Sequence, residues 1–299
     1  MKNQLKTILL LGSLSAIVIG VGALVAPGYL YVSAALALAM NLGAYFFSDR
    51  IVLKMHRAAE VTPAQAPDLH EMVEELAEKA GIPKPRVYVI PEEQPNAFAT
   101  GRNPERGVVA VTEGIVRILD RRELRGVIAH ELAHIKNRDI LVSSIAAAVA
   151  SLVTYAAQAL SLSSLFGGNN DDEESQGSAA GGILVALVAP LAATLVQLGI
   201  SRAREYMADE TGARISGDPE ALASALLKLE QAASVVPVNA APATASLFIV
   251  NPLNAAQTVF KLFSTHPATE ERVQRLLAMR APARRAAARP YTSRLVRGF

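Results

Sequence analysis

The 299-residue chain contains no cysteine. That excludes disulfides and thiolate zinc ligands, so histidine and carboxylate are the strong ligands that remain for a metal. Histidine is itself scarce, with five residues, and two of them, His56 and His70, stand in no recognisable pattern. Charge is sparse as well: Asp, Glu, Lys and Arg make up 19% of the sequence and the formal net charge is +2, which gives no electrostatic case for nucleic acid as a partner. What dominates is apolar. The hydrophobic share is 51% and the mean hydropathy +0.28, a composition that suits an integral membrane protein with a soluble part.

Charged residues are missing altogether from four stretches, 7–26, 29–47, 140–166 and 179–200. Each reaches or approaches the roughly 20 apolar residues needed to cross a hydrocarbon core. A cleavable leader is a poor reading of the first, because a cut after Ala26 would leave Pro27 at the new terminus and a second apolar segment follows at once. A retained hairpin over residues 1–47, turning at Pro27-Gly28, fits better. Residues 140–200 read as a second hairpin around an external loop, 167–178; being rich in Ala, Ser and Gly, its two arms also suit a hairpin buried within the soluble part. Lys2, Lys6, Arg50, Lys54, Arg57, Lys136, Arg138, Arg202 and Arg204 flank the inner ends, whereas the acidic loop 167–178 has no basic residue. By the positive-inside rule both termini and the soluble mass face the cytoplasm of a multi-pass inner (plasma) membrane protein.

Residues 48–139 and 201–280 read as the two halves of one cytoplasmic domain, with 281–299 a basic C-terminal tail near anionic headgroups. Leu69, Met72, Val73, Leu76 and Ala80 form a helical stripe ended by Gly81. Residues 86–90 and 107–111 are β-prone runs that suggest a small sheet. Thr112 is a cap for a short helix through Ile118, and Asp120 with Glu123 forms a capping-box signal for the next helix, which is expected to run on into the third apolar segment. Gly217-Asp218-Pro219 opens a later helix to Ala233, and residues 235–254 read as a loop at an access rim.

The most informative residues lie on that capped helix: His130-Glu131-Leu132-Ala133-His134. Residues four apart share a helix face, so both imidazoles can converge on one metal while Glu131 sits beside them, close enough to hold a water. A third ligand is needed, and Asn137 and Ile140 stand where an extended motif would place glycine and histidine. Just past the fourth apolar segment, Glu205 and Asp209 lie four apart on one helical face. If the intervening segments form a hairpin, Glu205 returns to His130 and His134, and Asp209 becomes an outer acceptor for a ligand imidazole.

Taken in order, His130-Glu131-x-x-His134 with Asn137-Arg138-Asp139, Glu205-x-x-x-Asp209, Asn96-Ala97-Phe98-Ala99, and Ser264-Thr265-His266-Pro267 with Arg272 resemble an HtpX-type membrane zinc protease, of the group that also includes the CAAX prenyl endoproteases. The resemblance covers almost the full length. It implies one zinc ion held by His130, His134 and Glu205. The implied fold is mainly α and integral to the membrane: four transmembrane helices plus an α+β zincin-like catalytic domain with a small β-sheet. The implied activity is cytoplasmic cleavage of misfolded or selected membrane proteins in quality control. Glu131 is then the general base and not a ligand. His266 is the candidate transition-state stabiliser, with a core or capping histidine before Pro267 as the equal alternative. Asn96, Ala97, Phe98 and Ala99 resemble the edge strand on which such enzymes lay substrate by backbone pairing. The other readings are a CAAX-type prenyl protease, against which four apolar segments argue, and a non-catalytic zinc-containing membrane chaperone or scaffold.

Overall fold

The computed structural model of the chain describes residues 30–147, 202–235, 249 and 267–279, with scattered positions among the first 28. The first described helix, α1 (Leu30–Met55), is long and apolar enough to cross a membrane, and among the described residues it alone has that character. It does not stop at Phe47, where the apolar run ends. It continues through Asp49, Arg50 and Lys54 for two more turns because Val52 and Leu53 gain a buried surface under a β-sheet. The partner arm of the expected hairpin is described at few positions, yet Asn41 Nδ2 donates to Leu11 O at 3.2 Å and to Ser15 Oγ at 2.6 Å, so the two segments lie side by side. The loop 167–178, the segment 179–200 and the tail 281–299 lie outside the described residues, as does all of 140–166 beyond its first eight.

The sheet has four strands, β1 (Ala59–Glu60), β2 (Arg86–Ile90), β3 (Ala97–Thr100) and β4 (Val108–Thr112), in the order β1-β2-β4-β3. β2 and β4 run parallel, and the two outer pairings are antiparallel. Strand alternation divides the side chains between two cores. Val87, Ala97, Ala99, Val109 and Val111 face the main core. Ile90, Phe98, Val108 and Ala110 face the opposite way, onto Val52 and Leu53 of α1 and onto Ala147.

Over the main core lie α2 (Pro67–Ala80), α3 (Glu113–Ile118), α4 (Arg121–Lys136), α5 (Arg202–Ser216), α6 (Pro219–Val235) and α7 (Thr269–Ala278). Local chemistry fixes their ends. α2 stops at Gly81 with φ 69°, a left-handed cap that glycine takes without strain. The Thr112 side chain accepts from Ile115 N to start α3, and Asp120 and Glu123 form the capping box of α4. α4 is the central helix, buried almost continuously from Glu123 to Ile135. It does not run into the third apolar segment as its periodicity suggests. It ends at Lys136, Arg138 turns the chain at φ 58°, and a new helical stretch begins at Ile140. The turn is closed by Asp139 N donating to His134 O at 3.0 Å.

Candidate metal centre

His130 and His134 lie one turn apart on α4, and their Nε2 atoms stand 3.2 Å from each other. Two nitrogens sharing one tetrahedral ion with bonds of about 2.0–2.1 Å would be roughly 3.3 Å apart, so the spacing already matches a common ion. Glu205 comes from α5. Its Oε2 lies 3.7 Å from His130 Nε2 and its Oε1 3.7 Å from His134 Nε2. The three ligand atoms fall within 4.8 Å of one another. α5 reaches this position by packing backbone to backbone on α4: a Cβ on Gly212 would lie 2.8 Å from His130 Cα and from His130 N.

Each imidazole has a carboxylate behind it. His130 Nδ1 is 2.9 Å from Asp209 Oδ1, and His134 Nδ1 is 3.2 Å from Asp139 Oδ2. A protonated Nδ1 facing each carboxylate leaves both Nε2 lone pairs aimed at the centre, where Glu205 adds another acceptor. Such a converging set calls for a cation. Burial opposes charge on His130, yet the Asp209 and Glu205 carboxylates outweigh it and lift the imidazole to about 9, so without a metal the centre holds a proton instead. The outer carboxylates are themselves secured. Burial would raise Asp209, but Arg272 on α7 donates to it through Nε at 2.8 Å and Nη2 at 2.7 Å and keeps it down at about 2. The third nitrogen, Nη1, donates to Ile249 O at 2.8 Å. Burial also disfavours the charge of Arg204, which lies in the field of Asp139 and Glu205.

Glu131, on the same helix, is not one of the three converging groups but lies in the field of all of them. It is buried, burial pushes its carboxyl up, and it accepts a hydrogen bond from Ala99 N–H. That contact depends on β3 ending the sheet. Asn96 exchanges bonds with Thr112 on β4, donating to its Oγ1 at 2.8 Å and accepting from its N at 2.9 Å. By strand alternation Phe98 also turns its backbone groups toward β4, while Ala97 and Ala99 turn theirs to the open edge. The residues singled out in sequence at 96–99, 130, 131, 134, 205 and 209 are thus brought together. His266 lies outside the described residues, one position before Pro267 and the helix that carries Arg272. Sequence reasoning missed the partnership of Asp139 with His134 and the anchoring role of Arg272.

A buried and a half-buried imidazole with a buried carboxylate, converging from two helices, and a second buried glutamate between the first helix and a sheet edge define a metallopeptidase-type centre. Residues 63–280 match peptidase family M48. The chain is 54% identical over 279 residues to a protein named Protease HtpX homolog from Thermodesulfovibrio yellowstonii, covering 93% of this chain and 98% of that one. It is 52% identical over 283 residues to one of the same name from Syntrophobacter fumaroxidans, covering 93% and 100%. One from Burkholderia mallei is 49% identical over 283 residues, covering 93% and 98%. A crystal structure of S. mikatae Ste24p overlaps 92% of this chain and 64% of its own, with a TM-score of 0.48 at 20% identity, a likeness too slight to argue from. The chain belongs to peptidase family M48, among its HtpX-type members, and is a metalloprotease.

Proposed function

We propose that this chain is a zinc-dependent endopeptidase of the membrane, cutting misfolded or selected membrane proteins on the cytoplasmic side as part of membrane-protein quality control. The observation that carries the reading is the convergence of His130, His134 and Glu205 next to Glu131, which touches the open strand edge through Ala99 N–H. The two-histidine, one-carboxylate set suits zinc, with no thiolate in the chain to offer another arrangement. A zinc ion there supplies Lewis acidity toward water and the scissile carbonyl.

The chain's own groups do the rest. Glu131 takes the proton from the attacking water and delivers it to the leaving amine nitrogen; burial raises its carboxyl, which favours its holding that proton between the two steps. Asp209 and Asp139 hold the imidazoles in one tautomer. An extended substrate pairs with the backbone edge groups of Ala97 and with the Ala99 carbonyl, the Ala99 N–H being held by Glu131, while Asn96 and Phe98 fasten that strand to the sheet and the core beneath it. His266 is assigned to the tetrahedral oxygen, supported by its place just before the helix anchored on Asp209 through Arg272. Membrane residence is supported by α1 and by Tyr45, Phe46 and Phe47 at its inner end, which are exposed and form an aromatic belt. Arg50 lies over the Phe47 ring at 5.6 Å and Arg102 over the Phe46 ring at 5.4 Å, placing cations at headgroup level.

The test is metal analysis of the purified protein together with degradation of a membrane-protein substrate, wild type against Glu131→Gln. The expected result is one zinc per chain in both, with turnover reduced about 10²–10⁴-fold in the variant. Comparable turnover would sink the mechanism, and absence of zinc from active protein would sink the metal assignment.

A further inference from the structure

The start of the third apolar segment touches both working parts of the site. Asp139, 2% exposed, reaches back to His134 Nδ1 at 3.2 Å. Five residues on, Ser144 is wholly buried and its Oγ lies 2.7 Å from Thr100 Oγ1, at the last residue of β3. The same oxygen accepts from Gly101 N at 3.4 Å. Ser144 Oγ also reaches Ile140 O at 2.6 Å, so the hydroxyl is held to its own helix while it grips the strand. The stretch is seated on both cores: Ile140 joins the main core, Val142, Ile145 and Ala146 pack with Ala44 of α1, and Ala147 packs with Phe98 beneath β3.

We propose that residues 139–144 form a bracket that sets the spacing between the metal and the substrate strand. Asp139 is a positioning residue for His134, and Ser144 is a positioning residue for the end of β3. The bond of Ser144 with Thr100 and its contact with Gly101 keep β3 from sliding along β4, and so keep the Ala99 N–H on Glu131. The left-handed turn at Arg138 is what allows both contacts: a helix continued past Lys136 would lose the bend that returns Asp139 to His134. One short stretch of chain thereby fixes a metal ligand at its first residue and a substrate-binding strand a turn and a half later.

This inference rests on the zinc-protease reading of the site, and the experiment separates the two. The full chain in detergent is titrated with zinc against a chelating chromophore, and KM and kcat are measured at saturating zinc on an unstructured peptide. Asp139→Asn is expected to weaken zinc about 10–100-fold and leave KM unchanged. Ser144→Ala is expected to leave zinc affinity unchanged and raise KM about tenfold, the scale of one lost buried hydrogen bond. Should Ser144→Ala fold poorly, Thr100→Val removes the same bond from the strand side, and the double variant is expected to be no worse than either single one. A merely structural role would move the two readouts together. Tight zinc in Asp139→Asn, or an unchanged KM in both Ser144→Ala and Thr100→Val, overturns the bracket while the functional reading stands. A wild-type chain that binds no zinc overturns the reading itself.

Discussion

The two ends of α4 hold their charges in opposite ways. In its first turns Arg121 and Arg122 point into solvent and meet Glu71 and Asp218 at 3.0 and 2.6 Å, and the half-buried Arg125 meets the exposed Glu75 at 2.6 Å. In its last turns His130 and Glu131 are buried, the ion pairs run inward from His130 to Asp209 to Arg272, and Arg272 donates a hydrogen bond to Ile249 O. Water compensates each member of an outer pair when its partner is lost, so those contacts contribute little. Inside, each group is satisfied only by the next, and removing one strands the others in a medium that cannot solvate them. Short distances are common to both ends; what differs is whether solvent can stand in for a missing partner.

The most damaging way to break this contrast is at Arg272. Arg272→Leu leaves the Asp209 carboxylate buried without its guanidinium, and a loss of about 3–5 kcal/mol in denaturant unfolding of the metal-free protein is expected. A change as small as that of an exposed pair would mean that the inner chain is not a connected unit. Next is Gly212→Ala, whose methyl would crowd the His130 backbone at 2.8 Å and push α5 outward. A cost of about 1–3 kcal/mol and weaker zinc binding are expected. Gly126→Ala makes the matching control, since its methyl would meet Leu222 N on α6 at 2.9 Å, and it should cost stability with zinc affinity kept.

A smaller, graded effect is expected from pH. Burial works against a charged His130, but Asp209 and Glu205 hold it at about 9, so below that pH zinc must displace a proton. Apparent zinc affinity should therefore fall about tenfold per unit as pH is lowered from about 8 to about 6. A flat titration would show that His130 is already neutral. Least of all is Glu75→Gln. The Glu75 carboxyl is lowered to about 2 by its hydrogen bonds with Arg125 and Lys79, yet it is exposed to solvent that can replace them, and unfolding of the variant should be indistinguishable from wild type.

Much of this was legible in the sequence where the cause is local. The capping box at Asp120 and Glu123, the cap at Thr112 and the glycine stop at Gly81 stand as their residue types imply. The strand read at 107–111 is shifted by one residue to Val108–Thr112. The motif histidines and Glu205 meet because an i, i+4 pair and a returning helix suffice to specify them. The break after Lys136 was not legible, since a left-handed arginine carries no glycine signal and the apolar pattern runs on through it. The end of α1 lies beyond the apolar run for the converse reason: charge at Asp49 and Arg50 marks the end of that run, while helix length is set by what Val52 and Leu53 pack against. The role of Arg272 depends on a contact across 63 positions, which no local pattern encodes.

The uninterrupted course of α1 has a mechanical consequence. Its apolar part, Leu30 to Phe47, extends about 27 Å, close to a hydrocarbon thickness of about 30 Å, and no hinge separates it from the turns wedged under Phe98 and Ile90. Hydrophobic mismatch is relieved by tilt, so the angle of this lever should follow the lipid around it and be felt at the floor of the sheet. Bilayer thickness is then expected to affect proteolysis. Peptide cleavage in nanodiscs of short-chain and long-chain lipids is the measurement, and equal rates in the two would remove the link.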